Sequence, residues 1–163
     1  MRNRMLAMVV STLSILVLSA GSAWAAGNPP GNNGTVKVDG RPFDDAPDNE
    51  PHVCCRFQID FYGYDEGDLH ATATFELVPP TGGGVLLVKK TFIGEDPAGG
   101  GTDLDASLSV NLSSRIAKSG VDPQPNQGWH IRLTVQADGS SGSDVKHKTF
   151  WVTGCLCESG GTD

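Results

Sequence analysis

The chain reads as an all-β protein: two antiparallel sheets packed as a sandwich, with about seven strands, one short helix and two disulfides. Three observations predict this. Short runs rich in apolar, β-branched and aromatic residues recur along the chain. Clusters of Gly, Pro, Asp and Asn separate them. No segment carries the 3.6-residue apolar period of a long amphipathic helix.

In order, the runs are TVKV (35–38), CRFQIDFYGY (55–64), LHATATFELV (69–78), VLLVKKTFI (85–93), LDASLSVNL (104–112), WHIRLTVQA (129–137) and VKHKTFWVT (145–153). The period is two in the clearest cases. Phe57, Ile59 and Phe61 alternate with Gln58, Asp60 and Tyr62. Leu69, Ala71, Ala73, Phe75 and Leu77 alternate with His70, Thr72, Thr74 and Glu76, and Trp129, Ile131, Leu133 and Val135 with His130, Arg132, Thr134 and Gln136. One buried and one wet face per strand is the mark of a half-exposed antiparallel sheet. DEGD (65–68) and DGSSGS (138–143) are short and turn-rich, and predict hairpins on either side of them. LSSRIAKSG (112–120) predicts the helix, stopped by Gly120, with Pro123 preventing continuation.

The N-terminus has the layout of a secretory signal peptide over 1–25. Arg2 and Arg4 are followed by an apolar run from Met5 to Ala20 and by Ala23-Trp24-Ala25, a small-x-small cleavage pattern. The apolar run is short of the roughly 20 residues a spanning helix needs. Residues 26–34 read as a flexible lead-in, 35–157 as the sandwich and 158–163 as a disordered tail. The expected exported chain is a single domain. Losing Arg2 and Arg4 moves its formal net charge from −7 to −9. Such a balance disfavours nucleic acid and anionic membrane surfaces as partners, and no later segment predicts membrane insertion.

Four cysteines stand in two close pairs, Cys54-Cys55 and Cys155-x-Cys157. In an exported chain such thiols usually become disulfides. Four thiolates can also hold one zinc ion, but CC and CxC are not the usual CxxC knuckles. The sandwich is expected to be immunoglobulin- or prealbumin-like, and an immunoglobulin-like strand order puts the start of the second run and the end of the seventh at one rim. That predicts a Cys55–Cys155 bridge, with Cys54–Cys157 beside it. Closing about 100 residues contributes up to roughly 4.7 kcal/mol in the chain-entropy model.

GNNGTVKVDGRPFDDAPDNEPHV, IDFYGYDEGD, VPPTGGGVLL followed by FIGED, and DVKHKTFWVTGC together resemble a group of small secreted or surface-attached actinobacterial proteins of uncharacterised function. The resemblance runs from about residue 31 to 155. It implies one cysteine in a Gly-Cys pair at the second strand and one after the last, matching Cys55 and Cys155. Cys54 stands where the group has glycine, and Cys157 looks like its added partner. Some members continue into a Pro-rich stalk and a wall-sorting tail, and wall attachment is not carried over to this chain. The resemblance implies no enzymatic activity and no catalytic residues.

The wet side of the third, sixth and seventh runs predicts a candidate binding face of His70, Glu76, His130, Arg132, His147 and Trp151, provided the last strand's outward phase runs 147, 149, 151. Phe150 and Val152 compete for the core in that strand. Tryptophan and arginine are common interface anchors. A solvated sheet face with scattered histidines is the plainer account, and nothing in the sequence fixes a metal geometry. Three loops are acidic: Asp44, Asp45, Asp48 and Glu50; Asp65, Glu66 and Asp68; Glu95, Asp96, Asp103 and Asp105. Weak extracellular calcium sites use such oxygen donors, yet none of the three fits the EF-hand loop, and turn-capping also explains them.

No catalytic signature is legible. GxSxG and HExxH are absent, paired carboxylates have no visible cleft, and the glycine-rich TGGG and AGGGT lack the GK[ST] of a phosphate loop. Asn33-Gly34-Thr35 and Asn111-Leu112-Ser113 match a glycosylation sequon, which carries little weight in a bacterial-looking chain. Trp129, at the corner leading into the sixth run, is expected to cap the core and to need an acceptor for its indole N–H. The sequence therefore predicts a secreted, extracellular or cell-surface module without catalysis or cofactor. Its expected partner is another envelope or extracellular macromolecule, bound through a sheet face or rim loops. A small-ligand or calcium-binding role for the acidic loops is the alternative.

Overall fold

The structure, a computed structural model, describes residues 34–44, 49–97, 103–138 and 145–156. The expected signal peptide, most of the lead-in, the tail, Cys157, Asp45 and Asp48 lie outside the described residues. In chain order the elements are β1 (Thr35–Asp39), β2 (His52–Cys54), β3 (Arg56–Tyr62), β4 (His70–Leu77), β5 (Gly84–Phe92), β6 (Leu104–Asn111), α1 (Ser113–Ser119), β7 (Trp129–Ala137) and β8 (Val145–Gly154). One sheet has the order β1–β3–β6, the other β2–β8–β7–β4–β5.

The alternation places the core. Val36 and Val38 of β1, Phe57, Ile59 and Phe61 of β3, and Leu108 and Val110 of β6 face inward from the smaller sheet. Ala71, Ala73, Phe75 and Leu77 of β4, Ile131, Leu133 and Val135 of β7, and Phe150 and Val152 of β8 meet them from the larger. The Phe57 ring bridges the layers edge-on, 5.9 Å from Phe75 and 5.3 Å from Phe150. Such aromatic pairs add to the apolar burial that already dominates. The helix closes one end with Ile116 buried. Gly120 ends it in the left-handed region (φ 65°), where a side chain would be strained. No described helix is long and apolar enough to cross a membrane.

Cys55 lies between β2 and β3, where the chain passes from one sheet to the other. Its N–H donates to the Gly154 carbonyl of β8 (2.8 Å), and its carbonyl accepts the Leu112 N–H that follows β6 (2.9 Å). Its sulfur is bonded to Cys155, with the Cα atoms 4.7 Å apart across 100 residues of chain. The predicted Cys55–Cys155 bridge is therefore present. One disulfide, not two, is described: the expected second, Cys54–Cys157, involves a residue outside the described set, although no described cysteine is a free thiol.

Three expectations are corrected. The described strands number eight, because His52–Cys54 forms a three-residue strand too short to show a period. That strand runs parallel to β8, so the sandwich is not wholly antiparallel. The 55–64 and 69–78 runs do not form a hairpin: β3 and β4 lie in opposite sheets, and DEGD carries the chain across the core. Both strands bury their odd-numbered residues because each faces the same core from its own side. By contrast β7 and β8 do pair antiparallel, with Gln136 opposite Val145.

Asp39 ends β1 on the outer face of the smaller sheet, yet it is fully buried. Gln58 donates to its Oδ2 (2.9 Å), while Oδ1 has no partner among the described residues. Burial, and then the nearby Asp60 charge, push its carboxyl up to about 6, despite the lowering effect of Gln58 and the Asp44 N–H. A folded-state value above the unfolded one means the folded chain holds that proton more tightly. The associated stability is complete below about pH 4 and is lost as pH rises through 6. Asp39→Asn is expected to raise unfolding free energy by about 1–3 kcal/mol at pH 8 and to change it little at pH 4. Urea unfolding of both chains at the two pH values measures this difference.

Candidate functional site

The outer face of the larger sheet carries the predicted residues on three adjacent strands. Glu76 of β4 stands opposite Arg132 of β7, and Arg132 opposite Thr149 of β8. Glu76 Oε2 accepts from Arg132 Nε (3.1 Å) and Nη2 (2.9 Å). His130 stands opposite Trp151, and the two rings stack with centroids 4.4 Å apart at 19°. The predicted outward phase of β8 therefore holds: Phe150 and Val152 are in the core, and Trp151 is half-exposed outside.

His130 is anchored from both its backbone and its ring. Its N–H donates to Thr81 Oγ1 (2.7 Å), and Nδ1 lies 2.7 Å from the Pro79 carbonyl oxygen. Thr81 is itself buried and donates to the Val78 carbonyl (3.4 Å). The Trp151 stacking surface is thus positioned by the VPPT turn after β4, a stretch to which the sequence assigned no such role.

The histidines do not converge. His147 sits opposite Thr134, with Nδ1 3.1 Å from the hydroxyl oxygen. His70 stands at the other end of β4, its ring edge-on to Phe92 at 5.6 Å and its Nδ1 3.7 Å from Asp68. Six residues of strand, about 20 Å, separate His70 from Glu76. Four site residues therefore form one cluster (Glu76, Arg132, His130, Trp151), and His147 and His70 lie progressively farther along the face.

Two features were missed by sequence reasoning. The first is apolar exposure on β5, the edge strand beside β4. Val85 (58% exposed), Val88 (55%) and Phe92 (45%) stand opposite Glu76, Thr74 and His70, so they continue the same outer face. Their run begins VLLV, which lacks the alternation that would have separated in from out. The second is a cleft of about 540 Å³ between β5, β6 and α1, where Arg41, Arg56, Lys89 and Arg115 meet Phe43 and Leu87. Lys89 Nζ donates to the Ser109 carbonyl (2.6 Å), and the Arg41 guanidinium sits over the Phe43 ring at 5.2 Å. Among the described residues, four cations and no carboxylate line this cleft in an otherwise acidic chain. It suits an anionic group, and its members come from segments too distant in sequence to announce it.

Trp129 fills the corner expected of it. Its indole N–H donates to the Val121 carbonyl (2.8 Å), and its ring packs on the core beside Cys155. Of the acidic loops, the structure gathers Asp96, Asp103 and Asp105 in one place and Asp39, Asp44 and Glu50 in another. Asp65, Glu66 and Asp68 are in neither group.

No protein family, curated protein or solved structure matches the chain. The functional reading therefore rests on the geometry of this face.

Thr81→Val removes the acceptor for the His130 N–H and leaves that group unsatisfied at a part-buried position. The expected cost is about 1–3 kcal/mol of unfolding free energy. Chemical unfolding measures it, and a loss below about 0.5 kcal/mol would show that Thr81 does not anchor His130.

Proposed function

We propose that the chain is a secreted, non-catalytic, immunoglobulin-like module that binds a protein partner of the cell envelope or extracellular space. The contact surface is the outer face of β5, β4, β7 and β8. The observation that carries this reading is the joining of two surfaces. Exposed apolar side chains on β5 (Val85, Val88, Phe92) run into a polar, aromatic cluster of Glu76, Arg132, His130 and Trp151. Apolar area rimmed by hydrogen-bonding groups, with Trp and Arg as anchors, is how protein interfaces are built.

The strand order supports the immunoglobulin-like alternative over the prealbumin-like one. Consecutive strands are divided between the sheets as β1, β3, β6 and β4, β5, β7, β8, and a short early strand pairs in parallel with the last. The variable-type sandwich likewise enlarges one sheet by an extra edge beside its central strands. Export is supported by the signal-like N-terminus and by a disulfide, a crosslink that persists in oxidising compartments. The resemblance to secreted and surface-attached actinobacterial proteins fits the same reading.

The test is capture from envelope extracts on the immobilised exported chain, repeated with Val88→Glu and Trp151→Ala. Both positions are surface sites, so melting curves should match the parent chain. Captured partner is expected to fall at least tenfold with either variant, about 1.4 kcal/mol of binding. Equal capture by both variants and the parent chain would remove this face as the binding surface.

A further inference from the structure

At the end of the sandwich away from the disulfide, the turn after β3 packs against the loop between β5 and β6. Gly63 N–H donates to the Asp103 carbonyl (2.9 Å), and Gly67 N–H to the Gly94 carbonyl (3.2 Å). The approach is so close that a Cβ on Gly94 would strike the Gly67 carbonyl. These backbone contacts hold three carboxylates together. One carboxylate oxygen from each of Asp96, Asp103 and Asp105 lies within 4.8 Å of the other two.

Asp105 is the interior member, only 4% exposed. Its Oδ2 accepts the Tyr64 N–H (2.9 Å), but Oδ1 has no hydrogen-bond partner among the described residues. An orphaned carboxylate oxygen at a buried position is costly unless something positive meets it. Its nearest charged neighbours do the opposite. Asp103 and Asp96 bring two further carboxylates beside it.

We propose that Asp96, Asp103 and Asp105 bind one calcium ion, fastening the segment just after β5 to the start of β6. The donors are all hard oxygens, with no imidazole or thiolate among them, which suits calcium over zinc or copper. Two oxygens on one calcium, each at about 2.3–2.6 Å, stand at most about 5 Å apart, and the three carboxylates meet that limit. Magnesium demands stricter octahedral geometry and surrenders its water reluctantly, so it is the weaker occupant. The other acidic group, Asp39, Asp44 and Glu50, shares the orphaned buried oxygen, at Asp39 Oδ1, but two of its three carboxylates already hold bonds that tie its loop: Gln58 donates to Asp39 Oδ2, and Gly40 N–H to Glu50 Oε2 (3.1 Å). It serves as the internal comparison.

The experiment is calorimetric titration of the full exported chain with calcium chloride, paired with thermal melts in calcium, magnesium and chelator. One site is expected, with a dissociation constant on the order of 10⁻⁴–10⁻³ M. Roughly 10 mM calcium should raise the melting temperature, with magnesium producing a smaller rise. Asp96→Asn, at an exposed position, should weaken binding at least about tenfold while melting like the parent chain in chelator. Asp44→Asn should bind as the parent chain does. Absence of both heat and melting shift would overturn the proposal. So would unchanged affinity in Asp96→Asn, or binding lost in Asp44→Asn instead. None of these outcomes depends on whether the sheet face captures a protein.

Discussion

The two sheets are joined at Cys55. Most residues of a sandwich belong to one layer and touch the other only through side chains. Cys55 belongs to both: its N–H is bonded to β8, its carbonyl to the residue after β6, and its sulfur to Cys155 just past β8. Because β2 and β3 flank it on either side, this one residue sets where the chain changes sheets. The inward phase of β3 then follows, bringing Phe57 between Phe75 and Phe150. With the core registered in this way, β7 and β8 must expose Arg132, His130 and Trp151 on the opposite side.

Much of this was legible in the sequence, and the limits have a physical cause. Alternation in 57–61, 71–77 and 131–135 identified which side of each strand is buried. It could not identify the sheet, because both layers bury a face toward the same core. That is why β3 and β4 looked like a hairpin and proved to be facing layers. His52–Cys54 escaped notice because three residues cannot display a period of two, and its pairing with β8 is a long-range contact. Pairing Cys55 with Cys155 was readable because an immunoglobulin-like strand order, once assumed, puts the start of the second run and the end of the last at one rim.

The candidate face was legible residue by residue but not as a shape. Period two placed His70, Glu76, His130, Arg132, His147 and Trp151 outward. Register then decides distance, and register separates His70 from His130 by nearly the length of β4. Val85, Val88 and Phe92 had no legible face, because the run VLLV does not alternate. They are exposed because register sets them opposite Glu76, Thr74 and His70, on the outer face of the larger sheet. The basic cleft is assembled from separate loops and strands, so composition revealed its members without their meeting, whereas Asp96, Asp103 and Asp105 already stood in one acidic loop of the sequence and only Asp39 joins Asp44 and Glu50 from outside theirs.

The central claim is that the Cys55–Cys155 crosslink holds the two layers together. Equilibrium unfolding in urea, comparing the oxidised parent chain with a Cys55→Ala/Cys155→Ala double variant, addresses it directly. The account predicts a loss of about 2–5 kcal/mol in unfolding free energy. A double variant within about 0.5 kcal/mol of the parent would contradict it.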